Sequence, residues 1–260
     1  MSSQSSSMRT RVPNEPRVPQ PSSSSSGKRP GIVILGGLLA LGGILAGMVA
    51  LQAPANSSTG QFVTWLFATN SVQVMWYITR AAGLTSYLVL WLSVAWGLAV
   101  SSKILDNMLH RTFTYDFHQF ISLLAIGFIL IHMISLMFDH YLPYSAAQLL
   151  IPGLSTYRPI WVAVGIVAFY LTMLVTVTFY MRGKIGMKAF RSIHTLSLVA
   201  YLGSTIHGLL SGTDASLFFV QAMYAGTFLV TVFLMAYWLI MLGQKNRARQ
   251  SEQRASTSQS

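Results

Sequence analysis

Four histidines lie within two long apolar stretches of the chain, and they are the residues best suited to chemistry. His118 and His132 belong to one stretch, and His194 and His207 belong to another. An imidazole inside a membrane costs free energy unless it is hydrogen-bonded or bound to a metal, so intramembrane histidines are functional candidates. These four side chains are therefore the first place to look for a function.

The spacing within each pair predicts two levels of histidines in a helical bundle. His118 and His132 are 14 residues apart, and His194 and His207 are 13 apart. At about 1.5 Å of rise per residue, each separation is roughly 20 Å. If the two helices run in the same direction, His118 lies level with His194, and His132 lies level with His207. Two neutral imidazoles from facing helices are what a six-coordinate haem iron requires as axial ligands.

One helix of this bundle is not expected to be regular throughout. At about 100° per residue, a separation of 14 residues nearly completes four turns and keeps both rings on one face, whereas 13 residues do not. We therefore expect a bend or local overwinding between His194 and His207. Gly203 is the predicted place for it.

The elements that carry these histidines are two of six apolar stretches, each long enough to cross a bilayer. The chain is 53% hydrophobic and only 9% charged, which argues against a soluble globular domain. Each stretch has roughly 20 residues or more, the length a helix needs to span about 30 Å of hydrocarbon. The predicted spans are Ile32–Leu51, Tyr77–Val100, Phe117–Phe138, Ile160–Met181, Phe190–Leu210 and Leu217–Leu242. The predicted fold class is an all-α integral membrane protein with a six-helix transmembrane bundle.

The positive charge of the chain is concentrated in alternate connections between the spans. A net charge of +11 is also typical of nucleic-acid binding proteins, but this distribution explains it without a nucleic acid. By the positive-inside rule, the basic connections face the cytoplasm, so both termini are predicted inside a plasma membrane that the chain crosses several times. The cations concerned are Arg9, Arg11, Arg17, Lys28, Arg29, Lys103, Arg111, Arg182, Lys184, Lys188, Arg191, Lys245, Arg247, Arg249 and Arg254.

The chain divides into three predicted regions. Residues 1–30 are rich in Ser and Pro and are expected to form a disordered cytoplasmic tail. Residues 31–243 form the six-span domain, and residues 244–260 form a basic cytoplasmic tail. The first span could instead be a cleaved signal peptide, because small residues surround Ala53. Its apolar run is longer than the 7 to 15 residues or so of such a region, which favours a span.

The sequence contains no cysteine, and this limits the redox chemistry available to it. Disulfides, thiolate-ligated iron–sulfur clusters and covalent haem attachment are excluded. No Gly-rich phosphate loop, nucleophile elbow or His-Glu-x-x-His zinc motif occurs. Because the chain ends soon after the sixth span, without a nucleotide-binding domain, we expect a partner to supply electrons.

Three arginines are candidates for holding haem propionates. Arg191 precedes His194 by three residues, on the same face of the helix, and is predicted to bind an inner propionate. The alternative is one more positive-inside residue. Arg80 and Arg158 are the only cations predicted on the outer side. We expect them to bind outer propionates, with binding of an anionic acceptor or interfacial snorkelling as the alternatives.

Two further features of the predicted outer side have structural interpretations. Asp139 and His140 could bind a metal ion, but a solvated pair in a loop is the favoured interpretation. Six aromatic residues predict an interfacial belt: Trp65, Trp76, Tyr77, Tyr141, Tyr144 and Tyr157.

Several motifs accompany the histidine spacing between Trp76 and about Asp214. They are Arg80-Ala-Ala-Gly-Leu-Thr-Ser-Tyr87, Tyr157-Arg158-Pro159-Ile160-Trp161, Phe190-Arg191-Ser192-Ile193-His194, His207-Gly208 and Gly212-Thr213-Asp214. Together with the His-x13-His and His-x12-His pairs, they make this region resemble the ferric reductase-like transmembrane domain family. That family includes the membrane domains of ferric reductases and NADPH oxidases, and the haem subunit of a bacterial methionine sulfoxide reductase system.

The resemblance implies two non-covalent haem b groups in a core of about residues 76–214. His118 with His194 would ligate one, and His132 with His207 the other. The sequence departs from the family at Phe190, where relatives often have Trp. It also lacks the flavin and nicotinamide domain that the oxidases and eukaryotic reductases carry.

These observations predict a transmembrane electron-transfer component, an oxidoreductase without its own FAD and NAD(P)H domain. Electrons are expected to come from a cytoplasmic flavoprotein or the quinone pool and to reach an outer acceptor such as ferric iron. One alternative is a quinone-fed haem subunit that serves a separate periplasmic or extracellular reductase. Another is a haem-free transporter or channel, in which the histidines relay protons or are only hydrogen-bonded within the bundle.

Overall fold

A computed structural model describes Pro54 and residues 56–67, 71–106 and 109–257, and all secondary structure in these ranges is helical. The described helices are α1 (Ser58–Phe67), α2 (Ser71–Ser101), α3 (Arg111–Met137), α4 (Ala146–Leu150), α5 (Pro159–Ile185), α6 (Met187–His194), α7 (Leu196–Ser211) and α8 (Phe218–Thr257). The predicted tail of residues 1–30 and the predicted first span, Ile32–Leu51, lie outside the described residues.

Five helical segments of the described chain are long and apolar enough to cross a membrane. They are Val74–Ser101, Arg111–Met137, Pro159–Ile185, Met187–Ser211 and Phe218–Gln244. These segments coincide with the second to sixth predicted spans, and the fourth combines α6 and α7. The chain is therefore an all-helical, multi-pass membrane protein in its described part. The sixth crossing and the side on which the termini lie stay predictions.

Large apolar side chains cover the outside of the bundle, most clearly on α8. Phe219 is 83% exposed, Leu229 66% and Phe233 68%. In water such a surface would be strongly unfavourable, but hydrocarbon chains solvate it at no cost. The lipid bilayer is thus the environment that this surface fits.

Two antiparallel helix pairs form the frame that positions the histidines. Helix α2 packs along α3, and α5 packs along α7. Between α2 and α3, the hydroxyl of Thr79 donates to Oγ of Ser135 at 2.7 Å, and Oγ of Ser93 and Oγ of Ser122 are also 2.7 Å apart. Interhelical hydrogen bonds and close packing, not the hydrophobic effect, hold helices together in lipid. These two bonds therefore help to set the register of α2 against α3.

The irregularity predicted in the helix of His194 and His207 is present, but its predicted position at Gly203 is wrong. The helix is interrupted at Thr195, between α6 and α7, while α7 runs through Gly203 without a break. The hydroxyl of Thr195 donates to the carbonyl of Ser192 at 2.7 Å, and this kind of bond competes with the backbone ladder. Gly203 instead allows close packing, because a Cβ there would lie 3.1 Å from Cβ of Ala168 in α5.

The connection between α3 and α5 is a structured segment over one end of the bundle. Asp139 is only 5% exposed, so the prediction of a solvated pair with His140 is wrong for this carboxylate. Its Oδ1 accepts the backbone N–H groups of Tyr141 at 2.7 Å and Leu142 at 3.1 Å. These bonds make a tight turn directly after α3 and satisfy the carboxylate inside the fold.

Helix α4 and the residues around it complete this connection. Ser145 and Gln148 form a reciprocal capping box at the start of α4, which satisfies two backbone N–H groups. Tyr144 is buried, and its Oη lies 3.1 Å from Oγ of Ser155. It is therefore not part of an exposed aromatic belt. Burial raises the pKa of Tyr144, and its hydroxyl therefore stays protonated and able to donate.

Candidate functional site

His118 and His194 lie side by side at one end of the bundle, on α3 and α6. Their ring centroids are 6.1 Å apart and their planes are inclined at 78°. Two metal–nitrogen bonds of about 2 Å, with the size of two imidazoles, separate the centroids of a pair of axial ligands by about 6 Å. The spacing of these rings therefore fits a single metal centre between them.

His132 and His207 line one cavity at the other end of the bundle. The cavity has a volume of about 330 Å³, within the range of sites that bind small molecules and cofactors. Gly83 and Gly165 line it beside the two rings, and Tyr224 closes another part of the wall. The described structure thus brings the histidines together in the two pairs expected from their spacing.

Hydrogen bonds fix the tautomer of the His132 and His207 rings. Nδ1 of His132 is 2.9 Å from the carbonyl oxygen of Thr79, and Nδ1 of His207 is 2.9 Å from that of Trp161. A carbonyl oxygen only accepts, so Nδ1 carries the proton in both rings. The lone pair is then on Nε2, the nitrogen that remains available as a metal ligand.

A buried polar network holds the His132 end of α3 against α2. Thr79, whose carbonyl accepts from His132, also donates its hydroxyl to Ser135. Ser135 is fully buried and donates in turn to the carbonyl of His132 at 2.9 Å. The imidazole is therefore fixed at its ring and at its own backbone, as an orienting network around a metal ligand requires.

The rings of His118 and His194 are held differently. Nδ1 of each is buried and makes no regular hydrogen bond to a described residue. The ring of His118 nevertheless faces the backbone of Ser93 in α2, whereas no backbone group of the described chain faces that of His194 in this way. Phe190 packs against His194, with ring centroids 5.2 Å apart. The two pairs therefore differ: backbone acceptors hold the rings at one level, and mainly packing holds them at the other.

Arg80 forms an ion pair with Asp214 in the wall of the cavity at the His132 level. Its guanidinium also lies over the ring of Trp76, 3.9 Å from the centroid. Both partners are largely buried, with side chains 26% and 15% exposed. Asp214 thus already balances the charge of Arg80 within the protein. The sequence analysis treated Arg80 as an unpaired cation on the outer side and did not predict this partner.

The other two arginine candidates are exposed. Arg158 has a left-handed backbone, with φ of 43°, at the start of α5. Its guanidinium donates to the carbonyl of Leu210, near the end of α7. Arg191 projects from α6 three residues before His194, and its guanidinium forms no ion pair with a described residue. Neither Arg158 nor Arg191 forms an ion pair with a described residue, so both charges remain available, unlike that of Arg80.

Sequence reasoning missed two groups of residues around the histidines. Gly83, Gly97 and Gly165 lie against imidazole rings. Gly83 and Gly97 are 14 residues apart, the same spacing as His118 and His132. That match on an adjacent antiparallel helix was the signal that could have revealed them.

The second group is a buried hydroxyl cluster between α2, α7 and α8. Oη of Tyr87 lies 2.6 Å from Oγ1 of Thr227 and 3.3 Å from Oη of Tyr201. Tyr87 is midway along α2 between Thr79 and Ser93, so the cluster lies at a height between the two histidine levels. Tyr87 ends the motif that begins at Arg80, but no motif links it to Tyr201 and Thr227, because the three residues come from distant parts of the chain.

Within the described ranges, no group of three or more His, Asp or Glu side chains could hold a bare metal ion. A haem iron needs only two protein ligands, because the porphyrin supplies the other four, and its requirement is therefore one pair of histidines. His110 and His140 are exposed and lie outside both pairs. Comparisons of the chain with protein-family models, with curated proteins and with solved structures find no match.

Proposed function

We propose that this chain is a transmembrane electron-transfer protein that holds two non-covalent haem b groups. The observation that carries the proposal is the pairing of four intramembrane histidines at two levels. At one level the rings of His118 and His194 are spaced for a shared iron. At the other, His132 and His207 line one cavity with their Nδ1 atoms bonded to backbone carbonyls.

The donor set supports haem over other redox groups. Bis-imidazole ligation suits a six-coordinate haem iron, and the absence of cysteine from the sequence removes thiolate-bound clusters. Bound haem would supply a one-electron iron couple at each level. The protein's part is to hold and orient the imidazoles, to keep water away from them and to balance charge.

The distribution of charge supports roles for the arginines and a direction of transfer. We assign Arg191 to a haem carboxylate at the His118 level and Arg158 to one at the His132 level. Arg80 is the weaker candidate because Asp214 already neutralises it. From the basic connections we infer that the His118 level lies at the cytoplasmic side of the plasma membrane and that both termini are inside. A flavoprotein or quinol then donates there, and ferric iron or a partner reductase accepts at the His132 level.

Visible spectra test this function. The unaltered chain and single histidine variants are produced with ample haem and purified, and their reduced-minus-oxidised difference spectra are compared. We expect two low-spin b-type components. His132→Ala and His207→Ala should lose the same component, and the double variant should lose little more, because residues that act as a unit are not additive. His118→Ala and His194→Ala should lose the other.

His110→Ala and His140→Ala are the matched controls, because both residues lie outside the pairs, and their spectra should equal that of the unaltered chain. Absence of haem bands from the unaltered chain would reject the proposal and favour a haem-free proton relay. If His118→Ala and His207→Ala lost the same spectral component, the pairing of His118 with His194 and of His132 with His207 would be rejected.

A further inference from the structure

A recurring arrangement of a backbone carbonyl and a glycine accompanies the histidine rings. The carbonyl of Thr79 accepts from His132, and Gly83, four residues later in α2, lies against the same ring. The carbonyl of Trp161 accepts from His207, and the glycine four residues later in α5, Gly165, lies against that ring. The same carbonyl-to-glycine offset thus occurs on two different helices.

Helix geometry gives a reason for the offset of four. The carbonyl of residue i already accepts the N–H of residue i+4, and it keeps a second lone pair. The Cα–Cβ bond of residue i+4 tilts towards the helix N-terminus, so a side chain there would cover that carbonyl. Where residue i+4 has no side chain, an imidazole from a neighbouring helix can approach the second lone pair directly over that residue.

The contacts that a Cβ would make show how close the rings are. A Cβ on Gly165 would lie 2.6 Å from Nδ1 of His207, and a Cβ on Gly83 would lie 3.0 Å from Nδ1 of His132. On Gly97 it would lie 3.2 Å from Cε1 of His118. Ordinary packing glycines differ, because a Cβ on Gly203 would meet an alanine, and Gly127 has nothing within 4 Å.

We propose that Gly83 and Gly165 are positioning residues that admit His132 and His207 to backbone carbonyls and so hold both rings in the Nδ1–H tautomer. Gly97 has the same role for His118 in a looser form. The ring faces the backbone of Ser93, four residues before Gly97, but its Nδ1 makes no regular hydrogen bond there. The consequence for haem binding rests on the function proposed above. The consequence for the tautomer does not depend on it.

The arrangement of a carbonyl and a glycine does not occur at His194, the fourth histidine. Thr178 stands 13 residues after Gly165, the same spacing that separates His194 from His207. Its hydroxyl bonds to the carbonyls of Leu174 and Val175 at 2.9 and 3.0 Å. At this position a side chain occupies the carbonyls that a ring would need, in agreement with the unpartnered Nδ1 of His194.

The test compares alanine variants of four glycines in the full-length protein. Gly83→Ala, Gly97→Ala and Gly165→Ala place a methyl group against a ring, and Gly127→Ala is the control on the same helix as His118 and His132. Haem affinity and the midpoint potential of each spectral component are measured on the haem-loaded protein. ¹⁵N NMR of labelled histidine separates Nδ1–H from Nε2–H rings and is recorded on the haem-free protein, because an iron–Nε2 bond would itself fix the tautomer.

Gly83→Ala and Gly165→Ala should weaken haem binding about 10- to 100-fold at the His132–His207 level, as loss of an orienting partner of a metal ligand does. The other component should stay intact and report correct folding. Gly165→Ala should have the largest effect, Gly97→Ala a smaller one confined to the His118–His194 component, and Gly127→Ala none. The Nδ1–H signal of the affected ring should be lost.

Unchanged spectra and an unchanged Nδ1–H signal in Gly83→Ala and Gly165→Ala would overturn the inference, and so would an equal loss in Gly127→Ala. Loss of both components at once would also count against it, because the clash acts at one level. If the unaltered chain bound no haem, the function proposed above would fail. The NMR signals of the unaltered and variant chains would then decide the tautomer claim by themselves.

Discussion

At the residue scale, ionisable side chains at the His132 level are matched to partners from another helix or loop. Arg80 in α2 pairs with Asp214 after α7, and the rings of His132 and His207 donate to carbonyls of α2 and α5. Such matching is expected in lipid, where an unpaired polar group has no water to compensate it. The Nε2 atoms of His132 and His207 are therefore the ring nitrogens that remain available to bind a ligand in the cavity.

The Arg80–Asp214 pair should be stronger than an ordinary surface ion pair. Asp214→Asn and Arg80→Gln should each lower the free energy of unfolding, and the double variant should lose less than the sum of the two. We expect a coupling of about 1–2 kcal/mol, between the values for exposed and fully buried pairs. Unfolding of the purified variants in detergent by denaturant, arranged as a double-mutant cycle, measures it.

The Arg111–Asp106 pair is the matched control. Its atoms are 3.4 Å apart and its side chains are 77% and 32% exposed, so its coupling should be close to zero. Equal couplings for the two pairs would show that the burial of Arg80 and Asp214 contributes nothing to the strength of their interaction.

At the scale of helices, polar contacts attach α8 to the rest of the bundle. Tyr87 and Trp91 of α2 both bond to Thr227 of α8, through its hydroxyl at 2.6 Å and its carbonyl at 3.0 Å. The outer surface of α8 is apolar and exposed, so lipid solvates that surface equally well whether α8 is docked or separate. The hydroxyl and indole contacts are therefore what favours the docked position of α8.

Removal of the Tyr87 hydroxyl should loosen α8. Tyr87→Phe should lower the free energy of unfolding by about 1 kcal/mol, the usual net value of a buried hydrogen bond. Thr227→Val should have a similar effect, and the two changes should not add, because they break the same bond. Thermal unfolding of the variants in detergent, followed by circular dichroism, measures both.

Thr176→Val is the matched control for this prediction, since the Thr176 hydroxyl bonds only to the carbonyl of Thr172 within its own helix. Its effect should be much smaller than that of Thr227→Val. Full additivity of Tyr87→Phe and Thr227→Val would mean that the interhelical bond does not hold α8.

At the scale of the whole molecule, the number of crossings relates the two ends of the described chain. Five segments of the described chain after Ser57 are long and apolar enough to cross a membrane. If all five cross, the residues before and after them lie on opposite sides. This relation does not depend on whether Ile32–Leu51 forms a further span. The basic connections then decide which side is the cytoplasm.

Reporter fusions test this topology directly. A reporter inserted at Ser57 and one fused after Ser260 should lie in opposite compartments, with the reporter after Ser260 in the cytoplasm. Accessibility of each reporter in intact cells is the measurement. Both reporters in one compartment would contradict the five crossings, whereas an inverted pair would contradict only the charge argument.

Local information in the sequence was enough to predict five helices and two histidine levels. Hydrophobic length is a property of consecutive residues, and the helical rise converts a spacing of 13 or 14 residues into a height. The need for an irregular segment between His194 and His207 followed from the same arithmetic. Its position did not, because the arithmetic does not distinguish one residue of the segment from another, and the break lies at Thr195 instead of the predicted Gly203.

The tertiary structure decided how groups from different helices meet. Arg80 and Asp214 are 134 positions apart, and Tyr87 and Thr227 are 140 apart. Helical periodicity shows which residues share a face of one helix, but the rotation and register of the neighbouring helix depend on packing along the whole interface. The sequence by itself predicted the five long apolar helices of the described chain and how far apart along the helix axis the histidines of each stretch lie. Only the packed bundle decided which carbonyls the rings of His132 and His207 bond and which glycines leave room for these rings.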